Sequence, residues 1–155
     1  MNLRINLRSL FSIIVLLSLT ACNQLVIKEE EEPKQDLFEL QKQAEASYLN
    51  DDMVASERDY QILIQELPAV ALNWYRLGNI YVRTNRPNAA IGLYREAVLR
   101  DPKFASAWYN LSIVQLKQTA YSLNEMLIYT EENDPLYTKA RDLLEGIRSI
   151  IEQKD

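Results

Sequence analysis

The sequence predicts an all-α protein in which about three helical hairpins stack as a solenoid and a C-terminal helix closes the array. Within each predicted segment, apolar residues recur three, four and seven positions apart, as on one face of a helix. Prolines and turn residues separate the segments. Several residues also recur at a spacing of thirty-four, a period typical of repeats that bury their apolar faces against each other. The recurring pairs are Tyr60 and Tyr94, Pro68 and Pro102, Trp74 and Trp108, Tyr75 and Tyr109, and Leu77 and Leu111.

The beginning of the chain has the composition of an export signal. Arg4 and Arg8 precede an apolar run over residues 10–19 that only serines interrupt, and no acidic residue occurs there. This order is typical of a signal peptide. The run is also shorter than the roughly 20 apolar residues that a permanent membrane-spanning helix needs. We therefore predict that residues 1–21 form a cleavable signal peptide.

Leu19, Thr20, Ala21 and Cys22 end this segment and resemble the lipobox of bacterial lipoproteins. The resemblance implies that the signal is cut before Cys22, that this cysteine receives a diacylglyceryl group, and that its new amino group takes a further acyl chain such as palmitate. Two or three buried acyl chains anchor a protein stably, whereas one holds it only marginally. The alternative is an incidental thiol at the end of an ordinary signal peptide or membrane anchor. Cys22 is the only cysteine in the sequence, so no internal disulfide can form.

Asn23 follows the predicted lipid site, at the place where an Asp in enterobacterial-type lipoproteins favours retention at the inner membrane. The resemblance therefore implies anchoring at the outer membrane, facing the periplasm, or at the outer face of the cytoplasmic membrane where no outer membrane exists. Cleavage would remove two of the 17 basic residues and none of the 22 acidic ones, which takes the net charge from −5 to −7. This acidity argues against nucleic acid or an anionic lipid surface as a ligand.

Residues 22–36 combine the predicted lipid site with an acidic linker, in which four consecutive glutamates, Glu29 to Glu32, precede Pro33. Like charges repel one another and extend the chain, which would hold the folded part about 20 Å from the lipid. A metal-binding cluster is the alternative, although consecutive carboxylates without an enclosing fold rarely form a cation site. We interpret the segment as a spacer.

The strongest repeat covers residues 71–104, where seven of eight positions carry the residue of one known pattern and Tyr94 stands in place of its phenylalanine. The eight positions are Trp74, Leu77, Gly78, Tyr81, Ala90, Tyr94, Ala97 and Pro102. This set resembles the tetratricopeptide repeat, a helix-turn-helix unit. The resemblance implies two antiparallel helices that are joined at residues 85–87 and end before Pro102. Because a glycine inside a helix costs about 1 kcal/mol relative to alanine, we expect Gly78 to face Ala90 where the two helices come closest.

Two weaker repeats flank this one. The first covers residues 37–70 and has its predicted turn at residues 50–52; its matching residues are Leu40, Ala44, Ser56, Tyr60, Leu63 and Pro68. The third covers residues 105–138 and keeps Trp108, Leu111 and Ser112 in its first helix. Its second helix is expected near residues 120–132. There, Asn124, Ile128 and Glu131 replace the small and aromatic residues of the pattern.

A final amphipathic helix is predicted over residues 135–153. Its apolar stripe consists of Leu136, Ala140, Leu143, Leu144, Ile147, Ile150 and Ile151. Charged residues occupy the other side, as in a helix that lies on a surface. A repeat array needs a terminal element to cover its last apolar face, so we interpret this helix as a cap. The alternative is a docking face for a partner or for a second copy.

The concave side of such a solenoid is lined by the first helix of each repeat, as the resemblance implies. The predicted binding residues there are Tyr48, Tyr75, Asn79, Arg83, Tyr109, Asn110 and Lys117, with Val82 and Ile113 among their apolar neighbours. Asn79 and Asn110 stand where related chaperone-binding domains hold the main chain of a peptide. Tyr75 replaces the lysine that those domains use for a terminal carboxylate. The alternative for Tyr75 and Tyr109 is a half-buried packing role.

The sequence contains no histidine, which removes the commonest general base and the usual dyads and metal sites that depend on it. We predict no catalytic site, no metal site and no cofactor apart from the lipid on Cys22. The combination of lipobox and repeats is similar to lipoproteins that assist the assembly of type IV or Tad-type pili and secretion channels. It implies an adaptor for a protein or peptide segment of an envelope machine. A scaffold for peptidoglycan enzymes is the alternative.

Overall fold

A computed structural model describes residues 36–152, which form six α-helices and no β-strand. The helices are α1 (Leu37–Leu49), α2 (Met53–Glu66), α3 (Ala71–Arg83), α4 (Pro87–Arg100), α5 (Ala105–Tyr129) and α6 (Pro135–Glu152). The predicted signal peptide, Cys22 and the linker before Asp36 lie outside the described residues, as do residues 153–155. None of these six helices is both long and apolar enough to cross a membrane.

The helices follow one another as a series of hairpins. Each helix packs chiefly against the helices before and after it in the sequence, from α1 through to α6. Such nearest-neighbour packing is the property that defines a solenoid. The predicted all-α helical-hairpin architecture is therefore confirmed for the described chain.

The turns of the first two hairpins have the same backbone geometry. Asp51 and Asn85 have φ angles of 65° and 59°, in the left-handed region. Asp and Asn adopt this region more readily than other residues with a Cβ atom, because their short side chains bond locally. The residues that follow them start the next helices: Asp52 accepts from the backbone N–H of Ala55 at 3.0 Å, and Pro87 opens α4. The predicted turns at residues 50–52 and 85–87 are both confirmed.

The two tryptophans form equivalent hydrogen bonds, which supports the thirty-four-residue period, although their surroundings differ. The indole N–H of Trp74 donates to the carbonyl of Pro68 at 2.9 Å, and that of Trp108 donates to the carbonyl of Pro102 at 3.0 Å. Each bond joins the start of a hairpin to the loop that precedes it. Arg100 lies 4.1 Å above the ring of Trp74, whereas Trp108 is 47% exposed.

Gly78 lies at a close contact between α3 and α4, but its nearest neighbour is Tyr94 and not the expected Ala90. A Cβ atom on Gly78 would lie 2.6 Å from Cε1 and 2.8 Å from Cδ1 of Tyr94. The long Tyr94 side chain reaches across from α4 to the backbone of α3. Ala90 is also fully buried, in a cluster with Leu111 and Val114 of α5. The expected close approach at Gly78 is thus found, but the residue that makes it is Tyr94 instead of Ala90.

The third repeat departs from the predicted boundaries. α5 runs without interruption from Ala105 to Tyr129, so residues 105–138 do not form a separate hairpin of two helices. Thr119 stands thirty-four residues after Asn85, and β-branched residues rarely adopt a positive φ. Its hydroxyl instead donates to the carbonyl of Gln115 at 3.0 Å, inside the helix. The third hairpin therefore consists of α5 and α6.

The predicted capping helix is α6, which ends at Glu152 within the described chain and packs against α5. It buries only Ala140, Leu144 and Ile147. Leu136, Leu143 and Ile150, which we also expected to be covered, remain more than half exposed. The cap thus uses one apolar stripe and leaves a second one open. Arg148 donates to Asn124 of α5 at 3.3 Å, which places α6 along the second half of that helix.

Replacing Gly78 with Ala should lower the free energy of unfolding by about 2 kcal/mol, because the added methyl would overlap the packed ring of Tyr94. Gly92 is the matched control, since it is also helical and a Cβ atom there would meet nothing within 4 Å. Gly92→Ala should raise stability by up to about 1 kcal/mol through helix propensity. Urea unfolding followed by circular dichroism measures both. Equal effects of the two substitutions would show that α3 and α4 do not meet at Gly78.

Replacing Asn73 is expected to raise the stability of the fold. Its side chain is fully buried in α3, and within residues 36–152 neither its Oδ1 nor its Nδ2 has a hydrogen-bond partner. Ala107, fully buried at the equivalent position of α5, has no polar group to satisfy. Asn73→Ala should therefore raise the free energy of unfolding by about 1 kcal/mol, because it removes an unpaired buried amide. The same unfolding assay tests this, and a loss of stability would contradict it.

Candidate partner-binding groove

Two hydrogen-bonded layers line the inner side of the helices, and they repeat with the period of the sequence. In the first layer, the hydroxyl of Tyr60 donates to Oε2 of Glu45 at 2.7 Å. Arg76 donates from Nη2 to Oε1 of the same carboxylate at 2.5 Å. This layer joins α1, α2 and α3. Its charges are paired within the chain.

The second layer uses the equivalent repeat positions with neutral groups, and both of its donors meet at one oxygen. The hydroxyl of Tyr94 donates to Oδ1 of Asn79 at 2.8 Å, and Nδ2 of Asn110 donates to the same oxygen at 2.9 Å. Nδ2 of Asn79 donates to the hydroxyl of Tyr48 at 3.3 Å, and Nδ2 of Asn110 lies at the same distance from the hydroxyl of Tyr75. An amide oxygen has two acceptor positions. Donors of the same chain therefore occupy both positions of Asn79 Oδ1. The two asparagines predicted to hold a peptide main chain thus hold each other.

Burial keeps the two central tyrosines protonated. It raises the pKa of Tyr60 well above the ordinary value, and the hydrogen bond to Glu45 raises it further. Burial likewise raises the pKa of Tyr94. Both hydroxyls therefore remain donors throughout the physiological range. Each hydroxyl joins the second helix of a hairpin to the first, whereas the bonds from Arg76 and Asn110 join the first helices of consecutive hairpins.

The cations near these layers differ in how many of them form contacts with partners within the chain. Arg76 and Arg83 lie 4.7 Å and 5.5 Å from the centre of the Tyr48 ring, as in cation–π contacts. Arg83 also forms an ion pair with Asp51. Lys117 is exposed, and within residues 36–152 it forms no ion pair. Lys117 is thus the cation best placed to meet a partner.

Two adjoining cavities run along this surface. The first, of about 310 Å³, is lined by Tyr48, Asn79, Val82, Arg83, Tyr94, Asn110, Ile113, Val114 and Lys117. The second, of about 670 Å³, is lined by Val82, Asn85, Pro87, Asn88, Val114, Lys117, Gln118, Tyr121 and Ser122. Val82, Val114 and Lys117 belong to both cavities, so the two form one continuous groove. We call it the α3–α5 groove.

The structure brings five of the seven predicted binding residues together in the first cavity: Tyr48, Asn79, Arg83, Asn110 and Lys117. Tyr75 does not line either cavity, because its ring packs 4.8 Å from Phe104 and 5.9 Å from Tyr94. Tyr75 thus has the half-buried packing role that was the alternative, and its hydroxyl contacts Asn110. Tyr109 is 47% exposed and also lies outside both linings.

Sequence reasoning missed the second cavity, which the continuation of α5 creates. Gln118, Tyr121 and Ser122 lie in the part of α5 that runs past the α3–α4 turn. Gln118 donates to Asn88 and so bridges the two sides. The sequence does indicate that α5 continues, because residues 117–123 contain no Gly, Pro, Asn or Asp to end a helix.

Acidic side chains are spread along the described helices. Among residues 36–152, no three His, Cys, Asp or Glu residues lie close enough to hold a metal ion.

Residues 71–114 match the family model of the tetratricopeptide repeat. The match covers α3, α4 and the first part of α5, which supply most of the lining of the first cavity; Tyr48 of α1 and Lys117 lie outside the match. No curated protein matches the chain. The chain therefore contains a tetratricopeptide repeat, and repeats of this class generally bind other proteins and typically serve as scaffolds rather than as enzymes.

The raised pKa values of Tyr60 and Tyr94 predict alkaline destabilisation. Stability from the protonated hydroxyls is fully present below the ordinary tyrosine pKa of 10.0 and is lost as pH rises above it. Each hydroxyl should lower the free energy of unfolding by up to about 1.4 kcal/mol per pH unit there. The free energy of unfolding of the double variant Tyr60→Phe and Tyr94→Phe should fall less steeply between pH 10 and 11 than that of the original protein. Parallel curves from urea unfolding would contradict this assignment.

Proposed function

We propose that this protein is a lipid-anchored adaptor that holds a segment of another envelope protein in the α3–α5 groove. The observation that carries the proposal is the groove itself, in which the uncommitted Lys117 stands between two adjoining cavities. Cavities of about 300 to 1,000 Å³ are typical of sites that take up compact groups. The tetratricopeptide match supports a protein as the ligand.

The lining indicates the chemistry of the bound segment. Val82 and Val114 give both cavities an apolar floor, and Tyr121 adds an aromatic wall to the larger one. Lys117 offers a positive charge directly beside them. A segment with a large apolar side chain next to a carboxylate fits this arrangement, because each group would meet its complement. Since Asn79 and Asn110 are engaged with each other and with tyrosines, side chains rather than the main chain would supply most of the specificity.

The export signal, the lipobox ending at Cys22 and the acidic linker support a location at the periplasmic face of the outer membrane. An adaptor at that place would help assemble or localise a multi-protein machine such as a pilus or a secretion channel. This role rests on the similarity in plan to lipoproteins of that kind, because a fold does not by itself fix a function. Presentation of peptidoglycan enzymes is the competing role, and the same groove would serve it.

Photo-crosslinking in intact cells separates these roles. A crosslinking residue placed at Gln118 reports on the groove, and one at the exposed Leu99 of α4 serves as the control because Leu99 lines neither cavity. The proposal expects a defined protein, bound only from position 118, that belongs to a pilus or secretion machine. Recovery of murein hydrolases or synthases alone would favour the competing role. Equal crosslinking from both positions would remove the groove from the function.

Lys117→Glu should weaken binding of the crosslinked partner about tenfold, because it sets like charges against each other at the groove. Lys103→Glu is the matched control, since Lys103 is exposed and lines neither cavity. Isothermal calorimetry with the purified partner measures both, and circular dichroism should show an unchanged helix content. If the partner binds both variants as tightly as it binds the original protein, Lys117 takes no part in binding.

A further inference from the structure

One of the two tryptophans binds a guanidinium group of the same chain. Cζ of Arg100 lies 4.1 Å from the centre of the Trp74 ring, and Nε of Arg100 donates to the carbonyl of Pro68. The indole N–H of Trp74 donates to this same carbonyl at 2.9 Å. Arg100 also forms an ion pair with Glu96. An aromatic face with a carbonyl oxygen at its edge thus forms a site for a guanidinium, which stacks on rings and carries several N–H donors.

The same ring and carbonyl recur thirty-four residues later. The indole N–H of Trp108 donates to the carbonyl of Pro102 at 3.0 Å. This bond uses one of the two acceptor positions of a carbonyl oxygen. No guanidinium of residues 36–152 lies above the ring of Trp108, which is 47% exposed. The second tryptophan therefore presents to solvent the surface that Arg100 covers on the first.

The side of α5 that carries Trp108 is otherwise polar. Ser112, Gln115 and Thr119 follow Trp108 at helical spacing along this side, and all three are exposed. On α3 the equivalent side is packed against α4 at Gly78. Polar residues suit a helix side that faces water, whereas a half-exposed tryptophan is a residue type that often dominates binding to a partner. Trp108 is thus the feature of this side that indicates a ligand.

We propose that Trp108 and the carbonyl of Pro102 bind an arginine side chain of a partner protein. Its guanidinium would stack on the exposed ring and donate to the carbonyl, as Arg100 does at Trp74. Arginine fits better than lysine, because its planar group can stack and donate at the same time. The chain has 22 acidic and 17 basic residues, and this acidity favours a partner segment that carries basic residues.

The arginine site is separate from the α3–α5 groove. Trp108 and Lys117 are nine residues apart in α5, which places them on opposite sides of the helix. Trp108 lines neither cavity of the groove. The proposal therefore does not depend on what the groove binds.

Nuclear magnetic resonance of the two indole N–H groups tests the site in the full chain in non-ionic detergent. The chain has two tryptophans, so Trp108→Phe assigns both signals. The probe is N-acetyl-arginine methylamide, and the citrulline compound is its matched control because it has the same shape without the charge. The Trp108 signal should shift saturably at millimolar concentrations of the arginine compound and at least about fivefold less with citrulline. No shift, or equal shifts with both compounds, would overturn the proposal.

The site at Trp74 provides the reciprocal measurement. In the original protein its signal should not respond, because Arg100 covers the ring. Arg100→Gln removes this guanidinium, and the Trp74 signal should then respond as the Trp108 signal does. Arg95→Gln is the matched control, since Arg95 is exposed on α4 and within residues 36–152 lies over no aromatic ring. A silent Trp74 in folded Arg100→Gln would show that a ring and a carbonyl do not suffice.

Photo-crosslinking in intact cells tests whether the arginine belongs to a partner protein. The crosslinking residue replaces Ser112, which is exposed one turn from Trp108. The product should be another protein, joined within a few residues of an arginine. Trp108→Leu should lower its yield about fivefold or more, whereas Trp108→Phe, which keeps an aromatic face, should retain most of it. If Trp108→Leu fails to fold by circular dichroism, the arginine and citrulline titrations decide. A product joined to a second copy of this chain, or far from any arginine, would overturn the assignment of the partner.

Discussion

The contact between the ring of Tyr94 and the backbone at Gly78 sets the geometry on which the rest of the second hairpin depends. With no Cβ at this position, the ring lies against α3, and its hydroxyl reaches Oδ1 of the next residue, Asn79, at 2.8 Å. Packing and hydrogen bonding thus use the same side chain. A shift of α4 away from α3 would open the core and break the polar layer together. The wall of the α3–α5 groove that Asn79 and Tyr94 line therefore depends on the same contact that packs the hairpin.

Both polar layers use the same repeat positions, and only their chemistry differs. Glu45, Tyr60 and Arg76 recur thirty-four residues later as Asn79, Tyr94 and Asn110. The first layer pairs opposite charges, so its net field at the groove is small. The second layer is neutral, which leaves Lys117 as the charge beside it without an ion pair in the described chain. At the next step of the period stands Ile113 in place of Asn79, and the polar pattern ends.

The parts of the fold that depend on local sequence could be predicted from it. The helix starts near residues 37 and 71 follow from the register of the repeats, the start near residue 87 follows from the turn before Pro87, and the close approach at Gly78 follows from the cost of a helical glycine. The internal bonding of Asn79 with Asn110 could not be predicted, because it depends on the distance between two hairpins. The role of Tyr75 was undecided for the same reason. Its ring could face the groove or the core, and only the position of Phe104 decides between them.

The absence of a turn at Thr119 accounts for three features of the C-terminal part. Because α5 continues past this residue, its second half forms the far wall of the larger cavity. α6 then starts only at Pro135 and lies beside that second half, as the bond from Arg148 to Asn124 shows. The position equivalent to Arg100 falls on Asp134 before the helix, so no guanidinium of residues 36–152 lies above Trp108 as Arg100 does above Trp74. α6 buries Ala140, Leu144 and Ile147, whereas Leu136, Leu143 and Ile150 remain more than half exposed, so within the described chain this helix closes the array with only one of its two apolar stripes.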